Sequence, residues 1–551
     1  MGAPWKRTLA SVGLVGVLLG SAACGGGGDE ESAGPAQEGT VDDVSEQGDP
    51  VTGGTIDVGL EAETNSWLPG EGSFGNPGLA VAYSIYDPLM KRTEEGDVKP
   101  YLAESMEPNE DLTRWTLKLR PDIQFHDGTP LNAQALKSNF DDYLTTATSN
   151  VGATLKGVSM EVVDDLTVEY VLEEPNAAFP DVLTLAPGWP FSPTAAAEFG
   201  PDAGSNPVGT GPFQFVSWQR DNALEVERNE NYWRDGLPYL DGITFRPIPD
   251  EDTRLASLES GDIQAMQSLR QSTIARARDL EGVDNYEYLG NNSGGSLLNT
   301  SRPPFDDVRV RQALAYAIDQ EELIEVLGGT GMVPPASQYF SPDSPFYSEE
   351  ADEAFPGFDP ERAQELYDEY INDPERSDGK PVGTPISFTY NCPPDPSLNE
   401  LSQLYQAFWS ALGIEVELNA VEQAAHIQNA IARDYDAACF RFSSERDPYY
   451  IFDDAFTEGP LNFTDYTDPV IDEQLEVLRS TTDLEERQAA VEEISLHLSE
   501  NVPNLFTGYT LTDIAVQEEL KNVDGWEFPD GTAGDGVPGA TAMWGEVWLA
   551  E

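Results

Sequence analysis

Pro385-Ile-Ser-Phe-Thr-Tyr-Asn391, Ile414-Glu-Val-Glu-Leu-Asn-Ala-Val421 and Tyr435-Asp-Ala-Ala-Cys-Phe-Arg-Phe442 are three strand-like runs set close together. Leu398–Leu412 and Gln423–Ala432 lie between them, with apolar residues at helical spacing. A strand-helix-strand-helix-strand order predicts a parallel open sheet with helices packed on it. This stretch sets the fold class as α/β.

Upstream, Val51–Leu60 reads as a strand and Leu79–Asp87 as a helix that Pro88 stops. Arg114–Leu119 alternates cleanly as a strand, and Asn132–Tyr143 has helical spacing. Met160–Leu172 reads as a hairpin around Asp164-Asp165. Strands are also predicted at Leu224–Arg228, at Gly242–Ile248 and from Asp262. Helices are predicted at Asp250–Gly261, along the apolar stripe of Pro304–Leu327 and at Asp483–Ser499.

The N-terminal end reads differently. Lys6 and Arg7 precede the short apolar run Thr8–Gly20, and Ser21-Ala22-Ala23-Cys24 follows it. That is an export signal, too short for the ~20 apolar residues that span a bilayer. Cysteine after small residues resembles the bacterial lipobox, with Ser21 where leucine is usual. The resemblance implies cleavage after residue 23 and a lipid on Cys24. Residues 24–50 are Gly-, Ser- and acid-rich and cannot bury enough surface to order themselves. As a flexible coil, Gly25–Pro50 would reach roughly 30 Å. The expected location is the outer face of a bacterial cell membrane, held by the lipid alone.

Composition narrows the function. The chain has 551 residues, 30 of them basic and 99 acidic, for a formal charge of −69. Nucleic acid needs cations, so it is excluded as a partner. Anionic lipid heads are disfavoured for the same reason. Hydrophobic residues at 39% and aromatics at 10% describe a globular body. Three scattered histidines argue against a His-rich metal site. Cys392 and Cys439 remain as an even pair in an oxidising compartment, on strands that can be neighbours, and a disulfide is expected.

Three strings read together carry a resemblance. The first runs from Tyr101-Leu-Ala-Glu-Ser105 through Trp115-Thr-Leu-Lys-Leu-Arg120 to Phe125-His-Asp-Gly-Thr-Pro130. The second is Gly209-Thr-Gly-Pro-Phe213 with Glu227-Arg-Asn-Glu-Asn-Tyr-Trp233. The third is Asn299 followed by Arg302–Asp319. In this order they resemble the family 5 extracellular solute-binding proteins of ABC importers, across nearly all of Thr52–Trp526. That family includes oligopeptide-, dipeptide- and nickel-binding proteins. Most of the strings read as scaffold, with His126 as a turn hydrogen-bonder and Gly209–Pro212 as a chain crossover.

The resemblance implies a type II, two-lobed periplasmic-binding-protein fold with an extra subdomain in lobe I. Lobe I would hold 51–97, 206–298 and 512–551, the subdomain 98–205, and lobe II 299–511. The hinge would lie near Asn299–Thr300 and Thr510–Thr512. Ligands of open α/β sheets gather past the carboxyl ends of strands. That rule nominates Tyr390, Asn391, Arg441, Phe442, Ser443 and Ser444 from lobe II. From lobe I it nominates Phe74, Asn76 and Ser293-Gly294-Gly295-Ser296. Phe442 would pack on the ligand and Arg441 would pair with a carboxylate.

The chain departs from the peptide-binding pattern at two places. Its Asp447-Pro448 step carries Ser444 where an acidic residue grips a peptide amine, with Glu445 as the nearest carboxylate. Ser293–Ser296 stands where aromatics are common. A peptide, an oligosaccharide, a metal chelate or another polar solute therefore all remain open. No cofactor and no catalytic residues are expected, because neither Gly-x-Ser-x-Gly nor His-Glu-x-x-His occurs. Delivery to a permease by a monomer is the main reading. A sensor or chaperone role on the same fold is the alternative.

The excess of carboxylates also fits a salt-rich habitat. Screening shortens the reach of like-charge repulsion. The unfolding midpoint should rise from low to molar salt, and a flat profile in a salt titration would remove this reading.

Overall fold

The computed structural model describes residues 48–145, 155–394, 396–442 and 445–550. Cys24, the leader, most of the linker, Ser443 and Ser444 lie outside them. One ten-stranded sheet runs through the described chain. From one edge its order is Glu415–Ala420, Ser387–Cys392, Ala437–Phe442, Val283–Leu298, Asn504–Gln517, Ala265–Ser268, Thr55–Leu60, Gly242–Pro247, Ala223–Arg228 and Phe213–Gln219.

The first three of these are the runs that open the sequence reading, and they pair in parallel. Helices Pro396–Ala411 and Gln423–Ala432 connect them, as the periodicity predicts. At the other end Thr55–Leu60 lies parallel to Gly242–Pro247, which begins an antiparallel meander. A separate four-stranded sheet orders Ala103–Pro108, Arg114–Leu119, Thr167–Leu172 and Val158–Val162. The last two form the predicted hairpin.

Two long antiparallel strands join the ends of the large sheet: Val283–Leu298 and Asn504–Gln517. The apolar core shows what they connect. One cluster draws on residues from Ile56 to Ala265 and from Ile514 to Val547. The other draws on residues from Leu297 to Tyr509. The chain thus leaves the first cluster on one of these strands and returns on the other.

Some expectations shift. The stripe of Pro304–Leu327 is two helices, Val308–Tyr316 and Gln320–Val326. Asp319 starts the second by accepting a hydrogen bond from the Glu322 amide at 3.1 Å, which ends the first. The segment Asn299–Thr300, where a hinge is expected, is packed into the second cluster. Asn299 is buried and its side-chain amide donates to the Arg433 and Tyr435 carbonyls, both at 2.9 Å, so it belongs wholly to the second cluster. The break in strand register falls between Leu289 and Gly295 instead.

The scaffold strings behave as scaffold. The Cβ of any larger residue at Gly209 would sit 2.1 Å from the Ile85 carbonyl oxygen, so two segments cross there in backbone contact. His126 Nε2 lies 3.0 Å from the Gly211 carbonyl oxygen, and burial pushes its imidazole down to about 4. It is a neutral hydrogen-bonding strut. Arg309 pairs with Asp307 and Asp373, and Arg311 donates to the Asn501 and Phe305 carbonyls. Both serve their own half of the molecule. Among the described residues no helix is long and apolar enough to cross a membrane.

Cys392 and Cys439 lie on neighbouring parallel strands with their Cα atoms 5.3 Å apart and their sulfurs bridged. Closing a loop with a sequence separation of 47 is worth about 4 kcal/mol in the chain-entropy picture. Reduction should release both thiols and lower the unfolding midpoint. Equal thiol counts in denaturant before and after reduction would show that the bridge does not form.

Candidate functional site

Half of the twelve residues nominated by the strand-end rule are buried in the core. Tyr390 is fully buried against Tyr405 and Trp409, and its hydroxyl lies 2.7 Å from the buried Ser296 Oγ. Phe442 is 6% exposed and packs on Tyr339 and Phe506. Asn391 accepts a hydrogen bond from Asn419 at 2.9 Å and is also buried. Ser293 is buried as well, and Gly294 alone of Ser293–Ser296 is partly open. Arg441 is exposed.

The reason is geometric. The sheet continues past these three strands into Val283–Leu298, and aromatic residues from Tyr339 to Phe506 cover its face. Phe74 and Asn76 lie in the other half. Phe74 sits edge-on to Trp189 at 5.2 Å, one layer behind Tyr83. Asn76 opens helix Asn76–Ile85 and packs against Gly539.

The charged meeting place of the two halves is elsewhere, around Arg92. This residue ends the strand Met90–Arg92 and keeps 24% of its side chain exposed. It pairs with Asp181, which is 2% exposed. The second Asp181 oxygen accepts a hydrogen bond from the Asp447 amide at 3.0 Å, across to the other half. Asp447 in turn accepts from Arg487 at 2.6 and 2.7 Å and caps helix Pro448–Phe456. Burial works against the Arg92 cation, yet Asp181, Asp447, Asp535 and Glu445 together outweigh it and raise its pKa.

Further bonds tie the same rim. Asn176 donates to the Tyr450 hydroxyl at 2.9 Å, the Ala177 amide to the Arg479 carbonyl at 2.8 Å, and Arg479 pairs with Glu174.

Behind Arg92 lies Lys91, nearly buried. Its ammonium sits 3.9 Å from the centre of the Trp526 ring and 4.9 Å from that of Tyr83. Burial pulls it down to about 8, against the pull of Asp535, Asp87 and Glu546. Burial likewise pushes Asp535 up to about 6, resisted by Lys91 and Arg92. Asp87 also rises to about 6 through burial, although Trp233 donates to it at 2.7 Å. Tyr83 and Tyr288 are partly open, and burial raises both phenols, helped by Asp535 and by Glu445 respectively.

This arrangement brings cations, carboxylates and phenols from both halves close together, with Tyr83, Arg92, Tyr288 and Asp535 partly open and Asp87, Lys91 and Asp181 buried. Among the described residues no group of three or more His, Cys, Asp or Glu side chains is placed to hold a metal ion.

The sequence reading missed this cluster. One signal was present: Lys91-Arg92 is the only adjacent pair of basic residues after the leader, in a chain with more than three acids per base. Asp535 carried none, since its role depends on the C-terminal segment folding back onto the first strands.

The comparisons with known proteins agree with this architecture. Residues 97–462 match the bacterial extracellular solute-binding proteins, family 5, middle region. A glutathione-binding protein of Pectobacterium atrosepticum is 30% identical over 475 residues, 82% of this chain and 87% of that relative. The glutathione-binding protein of Salmonella typhimurium is 33% identical over 306 residues, 53% of this chain and 56% of that relative. A periplasmic binding protein of Helicobacter pylori, solved in complex with the peptide STSA, is 21% identical with a TM-score of 0.75, covering 92% of this chain and 99% of that one. A Campylobacter jejuni protein in complex with Ni(L-His) is 22% identical with a TM-score of 0.71, covering 85% of this chain and 95% of that one. These last two likenesses show the fold, that of two-lobed type II periplasmic binding proteins.

The pKa directions set a test. Asp87 and Asp535 bind protons more tightly in the folded chain than their ordinary 3.8 allows. The stability they give is therefore present at low pH and lost as pH rises through about 6. Asp535→Asn should flatten the rise in unfolding midpoint on acidification from about pH 7 to about pH 5. Parallel profiles for variant and parent would show that Asp535 is not held out of water.

Proposed function

Because this chain is a family 5 extracellular solute-binding protein, we propose that it captures a small peptide-type solute between its lobes and hands it to an ABC importer. The observation that carries this reading is the Arg92 cluster. Charged groups from both lobes converge there, and such a space suits a ligand with an amine and carboxylates better than a neutral sugar. The glutathione-binding relatives support the same class, since glutathione carries both kinds of charge.

The cycle follows from the two-lobed frame. A solute first meets the lobe that carries Lys91, Arg92 and Asp535. Lobe closure then brings up the Glu445–Pro448 turn, and the bridge from Asp181 to the Asp447 amide seals the rim. Opening reverses these contacts at the permease. A lipid on Cys24 and the flexible segment behind it would keep the protein near its importer between rounds, since two or more acyl chains hold a protein on a membrane. The proposed lobes are residues 51–97, 206–290 and 512–551 against 291–511, with 98–205 as the extra subdomain. The protein would work as a monomer and carry out no chemistry on the solute.

A thermal-shift screen of the soluble body tests the class. The probes are glutathione, di- to pentapeptides, neutral oligosaccharides and a nickel–histidine chelate. A true ligand at a hundredfold excess over its Kd adds about 2.7 kcal/mol of stability. Glutathione or short peptides should raise the midpoint, and Arg92→Ala should weaken their binding at least tenfold by calorimetry. Stabilisation by oligosaccharides alone, or full affinity in Arg92→Ala, would overturn the proposal.

A further inference from the structure

Glu445 stands beside the position where the family grips an amine, yet its carboxylate is already engaged. One oxygen accepts a hydrogen bond from the Asn291 amide at 2.8 Å, and the Asn292 amide also bonds to this carboxylate. The other oxygen accepts from the Tyr288 hydroxyl at 3.1 Å. These partners lie in the first crossing strand, where its register against Asn504–Gln517 breaks between Leu289 and Ser293. Amides that the break takes out of the ladder need another acceptor when buried. Glu445 supplies it.

The partners fall on opposite sides of the crossing. Tyr288 packs against the apolar cluster of the first lobe. Asn291 is held by the second lobe, where its side-chain oxygen accepts from the Ser341 amide at 3.0 Å and the Ser341 hydroxyl at 3.1 Å. Between them lies Gly290, whose Cβ, if it had one, would stand 2.3 Å from Glu445 Oε1 and 3.0 Å from Tyr288 Cε1. No side chain fits at 290 while Glu445 keeps this seat.

We propose that Glu445 is a positioning residue for lobe closure: it holds both sides of the pivot at Tyr288–Asn292 and fixes the closed angle without touching the ligand. The inference rests on the reading that the lobes close by a hinge, but on no particular ligand. Opening the lobes would part the Tyr288 bond and leave the Asn291 bond intact, so the carboxylate acts as a detent at the pivot.

The test reads the protein without ligand, so a mistaken ligand class cannot produce either result. Amide hydrogen exchange at Asn291 and Asn292 reports the bonds, and the radius of gyration from X-ray scattering reports the angle. Glu445→Ala should speed exchange at both amides at least tenfold and enlarge the radius of gyration. Glu445→Gln keeps one acceptor oxygen and should restore most of the protection. Gly290→Ala should imitate Glu445→Ala, because the added methyl group displaces the carboxylate. The double variant should then be no worse than either single one, since both changes break one contact. Unchanged exchange in Glu445→Ala, or effects of the two changes that simply add, would overturn the proposal. Circular dichroism on each variant separates a shifted pivot from a failure to fold, and Glu445→Gln supplies the reading if Glu445→Ala does not fold.

Discussion

The backbone ladder between Val283–Leu298 and Asn504–Gln517 is the constraint on which the rest of this molecule depends. Each of the two large clusters has its own apolar core, and these strands carry the chain from one to the other. Hydrogen-bonded strands resist sliding and shear, yet they can bend where the ladder is interrupted. The interruption lies between Leu289 and Gly295. The proposed lobe motion would then be confined to a few residues.

Interruption of a buried ladder has a cost. Amides without partners must find acceptors, and a buried unsatisfied polar group loses about 1–3 kcal/mol. A carboxylate in the Glu445–Pro448 turn meets that need, and two residues on, the Asp447 amide reaches the other half by donating to Asp181. One short turn therefore serves both the pivot and the rim. The same logic explains the charges around Lys91 and Arg92. Buried ion pairs rarely add much net stability, because desolvation offsets their attraction. Their concentration where the two halves meet fits the proposed capture of a charged solute.

How much of this was legible in the sequence depends on what each residue does locally. The parallel run around Ser387–Phe442 was readable because strand alternation and helical spacing are local patterns. The crossing strands were not. Asn285–Ser296 is rich in Asn, Gly and Ser, and its strand character comes from two partners distant in sequence rather than from propensity. The site suffered in the same way. The strand-end rule pointed at Tyr390 and Phe442, but in this sheet those ends abut a further strand and a layer of aromatic side chains. Lys91-Arg92 was the readable signal for the site. Its acidic counterparts were hidden among 99 acidic residues, where no single carboxylate stands out.

The small residues Ser293–Ser296 show why composition at a site must be read against its packing. From sequence they suggest a roomy pocket, with aromatics removed to admit a larger ligand. In the folded chain a Cβ at Gly295 would lie 2.0 Å from the Leu505 carbonyl oxygen and 2.7 Å from the Phe442 ring. Ser296 is spent on Tyr390. The space that aromatics would take is already filled from behind by the protein itself. Gly294, where a Cβ would meet only Thr507 at 3.8 Å, is the one position of the four that opens outward. Smallness here follows chiefly from close approach of backbone and core. The proposed choice of solute then falls to side chains outside this stretch, Tyr83, Arg92 and Asp535.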